Sequence, residues 1–215
     1  MKTLAAILVE LSNDLEIDYV QLPKLGKNQV IVKILSTAIC GTQLSEIFGI
    51  KGEDKWLPHL MGHEACGVVL EIGSEVKKVK KDDLVIASWL DTSGINAGGS
   101  KYTWGNRIIN AGPITTFQEI SVISENKIIK SPSKEDLDKC CFLGCAIPTG
   151  FGMIKNVAKN VSSKKIMIMG AGGIGLNSIV AAKELKASQI TVIEKNKNKY
   201  DLIKKFGADT ICSLD

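Results

Sequence analysis

The sequence predicts a mostly-β domain followed by a β-α-β-α-β unit built on a parallel sheet. Three observations carry that reading. Up to about residue 145, short runs rich in β-branched residues recur between turn signals. Beyond it, short apolar runs alternate with segments of helical spacing, a pattern that places helices between parallel strands. A third observation is GAGGIG at 170–175, which follows one apolar run and opens a helical one.

Each element follows in order. MKTLAAILVELSND (1–14) has a lysine and an apolar run, as a leader peptide would. Glu10 interrupts the run and no small-x-small cleavage site follows, so a first strand is predicted. Further strands are expected in QVIVKILSTAI (29–39), which alternates at first, and in GVVLEIG (67–73), DLVIASW (83–89) and FQEISVISENKII (117–129). The mixed-charge run KKVKKDD (77–83) reads as a solvated turn. Residues 91–113, with several glycines and polar side chains, are expected to form one long functional or mobile loop. After that, GFGMIKNVAKN (150–160) reads as helix and KKIMIMG (164–170) as a short buried strand. GIGLNSIVAAKELKA (173–187) is helical, with Leu176, Ile179, Val180 and Leu185 on one face. QITVIE (189–194) is a strand, KYDLIKKFG (199–207) a helix stopped by Gly207, and ADTICSLD (208–215) the start of a third strand. The expected domains are 1–148 and 149–215.

Composition narrows the function. The chain has 215 residues and a net charge of +4. The positive charge is almost all lysine, with Arg107 the one arginine, which speaks against a nucleic-acid site. No apolar stretch is long enough to span a membrane, and a cytoplasmic protein is expected. The six cysteines form no regular framework, so free thiols or metal ligands are expected rather than disulfides.

The glycine motif has a mechanical reading. Gly170 permits a tight turn, Gly172 lets the backbone approach a pyrophosphate, and Gly175 permits close helix–strand packing; Gly173 and Ile174 complete the cradle. The helix N-terminus offers N–H groups and positive dipole to phosphate. Glu194 ends the second strand, 19 positions after Gly175, where a carboxylate accepts hydrogen bonds from ribose hydroxyls. That favours NAD over NADP, although Lys195, Lys197 and Lys199 could accommodate a phosphate. Lys199 is counted with the cofactor residues. This is the first half of a Rossmann doubly wound sheet.

The chain has two histidines, His59 and His63. His63 lies in GHEACG, preceded in sequence by Cys40-Gly-Thr42 and followed by Cys145 in GCAIPTGFG. Two cysteines and a histidine make a three-ligand catalytic zinc set with one open position, though these separations are too long to define a site alone. The segments CGTQLS (40–45), GHEACGVVLEIGSEV (62–76), CAIPTGFG (145–152) and GAGGIG (170–175) together resemble the zinc-dependent medium-chain alcohol dehydrogenases, over essentially the whole chain.

That resemblance implies a GroES-like β domain before the Rossmann unit. It implies zinc held by Cys40, His63 and Cys145, with Glu64 able to exchange onto the metal. Thr42 relays the substrate proton, Thr149 lies beside the nicotinamide, and Trp89 lines the substrate pocket. The implied reaction is hydride transfer between an alcohol or polyol and NAD. Two other readings stand beside it: a metal-free reductase of the same superfamily, and a non-catalytic dinucleotide- or zinc-binding fragment. The full-length protein is expected to be a homodimer or homotetramer acting on a small molecule. His59, Cys66 and Cys212 are expected to be structural, and Cys140 and Cys141 packed.

The sequence also departs from the family pattern. Region 91–113 has no cysteines for the family's structural zinc, so one catalytic zinc is expected. Gln43 stands where an aspartate usually supports the zinc histidine, and Ser45 where a histidine often ends the proton relay. Only the first β-α-β-α-β half is present, and a fragment of a longer protein is expected.

Overall fold

The computed structural model describes residues 1–136 and 138–213. The last two residues of ADTICSLD lie outside the described residues. The chain divides into two compact units, Met1–Cys145 and Ala146–Asp215.

The first unit holds a closed barrel and a five-stranded sheet. The barrel runs in the order β1 (Lys2–Leu8), β2 (Glu16–Gln21), β7 (Ser100–Trp104), β8 (Arg107–Ala111) and β4 (His59–Leu60). The sheet runs β10 (Ile128–Lys130), β6 (Leu84–Ala87), β5 (Ala65–Ile72), β3 (Gln29–Thr37) and β9 (Ile120–Ser124). The N-terminal apolar run is thus strand β1, as expected. Strand β3 corrects the expected alternation, because its opening run is buried throughout. Val30 and Val32 enter one core with Val69, Val85 and Ile123, while Ile31 enters the barrel core with Ile7, Val20 and Tyr102. A strand covered on both faces has no side to leave polar. Register shifts in the β3–β5 pairing, at Ile31/Val32 and Ile34/Ser36, bend the strand before it delivers Cys40.

Region 91–113 corrects an expectation. Only its first part is loop; β7 and β8 form an antiparallel hairpin in which Trp104 pairs with Arg107. The turn is Gly105-Asn106, with Gly105 at φ +56. A two-residue Gly-Asn turn between β-prone runs is a hairpin signal, which the high glycine content obscured. Helix α1 (Gly41–Ile47) is a further element that the sequence reading passed over.

The second unit has α2 (Ala146–Gly152), which continues as a π-turn over Met153–Ala158, then β11 (Lys165–Met169), α3 (Gly173–Glu184), β12 (Gln189–Ile193), α4 (Tyr200–Phe206) and β13 (Thr210–Cys212). The strands are parallel in the order β11-β12-β13. Gly207 ends α4 in the left-handed region, at φ +114. Ile168, Ile179, Ile190, Val192 and Ile203 form the core of this unit. Strand β11 is covered on one face only: Ile168 is buried, whereas Met167 and Met169 are exposed, contrary to the expectation of a fully buried strand. Cys212 is likewise exposed in β13 rather than core. No helix among the described residues is long and apolar enough to cross a membrane.

Candidate metal site and nucleotide cradle

In the first unit His63, Glu64 and Cys145 converge, with their ligand atoms all within 4.8 Å of one another. Cys40 is not part of that cluster; it is half-buried at the N-cap of α1. Two close approaches build the cluster. Gly62 turns the chain into His63 at φ +88, and a Cβ there would lie 2.3 Å from Thr116 Oγ1. Gly144 brings Cys145 against Glu64, just before β5, since a Cβ on Gly144 would lie 2.7 Å from Glu64 Cβ. The Gly144 carbonyl accepts the Trp89 N–H at 3.0 Å and the Ser88 hydroxyl at 2.9 Å. The two residues that follow β6 therefore hold the segment that carries Cys145. Glu64 is buried, and its carbonyl accepts the Thr37 hydroxyl at 2.8 Å.

Gln43 is buried on α1 and ties two of the predicted ligands together. Its amide oxygen accepts the Cys40 N–H at 2.7 Å, and its amide nitrogen makes a short contact with His63 Nδ1. With the oxygen spent on Cys40, the amide donates to Nδ1, and the ring proton of a neutral imidazole sits on Nε2. Ligation through Nε2 then requires the amide to turn over. An aspartate at this position would accept the Nδ1 proton and leave Nε2 free. Burial first, and then the Lys51 charge, push the His63 pKa below its ordinary 6.5.

Trp89 is 55% exposed, so it is not a core residue. Its ring meets His63 edge-on, with centroids 5.9 Å apart and planes at 71°. Lys127, which the sequence reading did not single out, is buried beneath it. Its ammonium lies 5.2 Å from the Trp89 ring centroid, donates to the Trp89 carbonyl at 2.5 Å, and pairs with Asp91 at 2.9 Å. Nothing in the local sequence marks this lysine, because its partners lie 36 and 38 residues away. Thr42 is exposed in the first turn of α1, and the Ser45 hydroxyl donates to the Gly41 carbonyl at 3.1 Å. Cys66, Cys140 and Cys141 are buried together. Burial raises the Cys66 thiol pKa to about 11, which keeps it protonated and inert.

In the second unit the glycine motif forms an open cradle. Gly170 takes φ +84, and nothing lies within 4 Å of a Cβ built on Gly172. A Cβ on Gly175 would lie 2.0 Å from the Gly170 carbonyl, so α3 needs glycine there to pack on the loop. Gly173 and Ile174 form the first turn of α3, and Thr149 is half-buried on α2. Glu194 closes the cradle: its carboxylate accepts the Ala171 N–H at 2.8 Å and the Asn196 N–H at 2.9 Å. Those two backbone donors, Asn196 first, hold its pKa below the usual carboxylate value. Lys199 Nζ stands 3.7 Å from the same carboxylate.

Residues 26–133 match the alcohol dehydrogenase GroES-like domain. The chain belongs to that alcohol dehydrogenase family, the medium-chain dehydrogenases, and its fold is the GroES-like β domain followed by the first half of a Rossmann sheet. Among curated relatives, it is 31% identical over 235 residues to S-(hydroxymethyl)glutathione dehydrogenase of Photobacterium damsela subsp. piscicida. That match covers 97% of this chain and 63% of the relative, so the chain spans less than two thirds of the relative's length. Among solved structures, an alcohol dehydrogenase zinc-binding domain protein from Burkholderia ambifaria superposes with a TM-score of 0.86 at 22% identity, covering 99% of this chain and 64% of that one. Galactitol-1-phosphate dehydrogenase from Escherichia coli superposes with a TM-score of 0.76 at 26% identity, covering 98% and 60%.

Proposed function

We propose that this chain carries the metal and nucleotide sites of a zinc-dependent, NAD-linked dehydrogenase acting on an alcohol, polyol or sugar derivative. The observation that carries the reading is the convergence of His63, Glu64 and Cys145 within 4.8 Å in a chain of this family. An imidazole, a thiol and a carboxylate form a donor set that suits zinc. Cys145 and His63 would hold the ion, with Cys40 joining from the start of α1 and Glu64 as the carboxylate that exchanges onto it. A zinc ion bound there would supply Lewis acidity to an alcohol oxygen, and NAD bound at the cradle would supply the hydride acceptor.

The remaining roles belong to the chain. Thr42 takes the substrate proton outward. The Ser45 hydrogen is donated to the Gly41 carbonyl, so the relay ends in water. Trp89, held by Lys127, bounds the substrate side of His63. Gly170, Gly172, Gly173, Ile174 and Gly175 cradle the pyrophosphate, Glu194 and Lys199 meet the adenosine ribose, and Thr149 lies against the nicotinamide. Glu194 favours NAD, because a carboxylate repels a 2′-phosphate.

The test is reduced-nicotinamide absorbance with NAD or NADP and a panel including S-(hydroxymethyl)glutathione, galactitol 1-phosphate and benzyl alcohol. Turnover that a chelator abolishes and zinc restores is the expected result. Turnover that survives the chelator would favour the metal-free reductase. NAD binding without turnover on any alcohol would favour the binding fragment.

A further inference from the structure

The second histidine lies in a cluster of its own. His59 is 92% buried in β4, the strand that closes the barrel between β1 and β8. Its Nδ1 lies 3.0 Å from the Leu60 carbonyl, an acceptor only, so that nitrogen carries a hydrogen and donates it. In a neutral ring Nε2 then presents a lone pair. That lone pair faces Asp54 Oδ2 at 3.0 Å and Glu46 Oε1 at 3.8 Å. With the ring neutral, three acceptor atoms, all within 4.8 Å of one another, converge with no hydrogen among them. The arrangement calls for a cation at its centre.

Distances and orientation decide which cation. Two ligands bound to one zinc at ordinary bond lengths and a tetrahedral angle stand about 3.4 Å apart. The observed 3.0 and 3.8 Å bracket that spacing. The imidazole is oriented by a backbone carbonyl on its far nitrogen, as metal-ligating histidines are. Asp54 is oriented in turn by the Trp56 N–H, at 2.8 Å on its other oxygen. One nitrogen and two carboxylates suit zinc rather than magnesium or calcium, which prefer all-oxygen sites. We propose that Glu46, Asp54 and His59 bind a divalent cation of the zinc type, separate from the ion at His63. The site joins three pieces of chain: the end of α1, the 51–58 segment and β4. It therefore braces the helix whose N-cap is Cys40 and whose first turn carries Thr42 and Gln43. The proposal stands on this cluster alone and does not depend on the catalytic reading.

The experiment is zinc per folded chain by elemental analysis, after equilibration with buffered zinc and dialysis, with circular dichroism as the folding check. Wild type, Asp54→Asn, His59→Gln, His63→Gln and the Asp54→Asn/His63→Gln pair are compared. Asp54→Asn and His59→Gln are each expected to lose about one zinc equivalent, and the pair to lose one more than His63→Gln alone. Equal zinc in wild type, Asp54→Asn and His59→Gln would overturn the proposal; the cluster would then be an imidazolium paired with two carboxylates. Asp54, on a partly exposed segment, decides the question even if His59→Gln fails to fold. Loss in His63→Gln alone would leave the catalytic reading intact while removing this one.

Discussion

The two histidines lie four residues apart and sit in opposite environments. His59 is buried, and both its nitrogens face oxygen: a carbonyl on one side, two carboxylates on the other. His63 is half-buried, and its Nδ1 meets an amide nitrogen, while Glu64 and Cys145 stand close by. The difference teaches that a histidine's capacity for metal is set by what holds its far nitrogen. A carbonyl or carboxylate there fixes the ligating tautomer, whereas a donating amide opposes it. On this comparison the His59 site is preorganised for a cation, and the His63 site must reorganise to take one.

His63→Gln is expected to weaken zinc binding at that cluster by more than about 100-fold, since loss of a supporting partner alone typically costs 10–100-fold. Zinc titration of the variant checks it, and unchanged affinity would remove His63 from the ligand set. Gly62→Ala combines a left-handed backbone with a Cβ 2.3 Å from Thr116 Oγ1. It is expected to destabilise the first unit by about 3 kcal/mol, measured as a lower midpoint in denaturant. An unaltered midpoint would mean that the turn into His63 is not strained.

Gln43→Asp gives His63 the kind of partner His59 already has. Zinc affinity is expected to rise by about 10-fold, and the pH–rate profile to move to higher pH as the metal becomes less electrophilic. If neither moves, the amide does not govern the site. The smallest effect is in acid stability. His63 has a lowered pKa when folded, so the zinc-free unfolded chain binds its proton first as the pH falls. Stability present above pH 6.5 is therefore lost as the pH drops below it toward the folded value. Thermal midpoints of zinc-free wild type should fall more steeply over that window than those of His63→Gln. Parallel curves would assign the pH dependence elsewhere.

Much of this was legible in the sequence, because it depends on near neighbours. The apolar start of β1, the helix stop at Gly207 and the GAGGIG turn follow from side-chain shape and backbone freedom over a few residues. The Gly-Asn turn was equally local, and reading 91–113 as loop overlooked a signal that was present. The one-sided burial of β11 was not legible, because an apolar run records what a strand can cover and not what lies on it.

By itself, then, the sequence determined the alternation of strands and helices in the second unit, the glycine cradle and the family. Only the tertiary structure decided which side chains meet. Glu46, Asp54 and His59 are drawn from a helix, a loop and a strand. Gln43 reaches His63 across 20 residues, and Lys127 reaches Trp89 across 38. Such contacts have no periodicity to read. They arise when barrel closure and the bend of β3 fix separate segments in place, and a side chain a few ångströms off would make no bond at all.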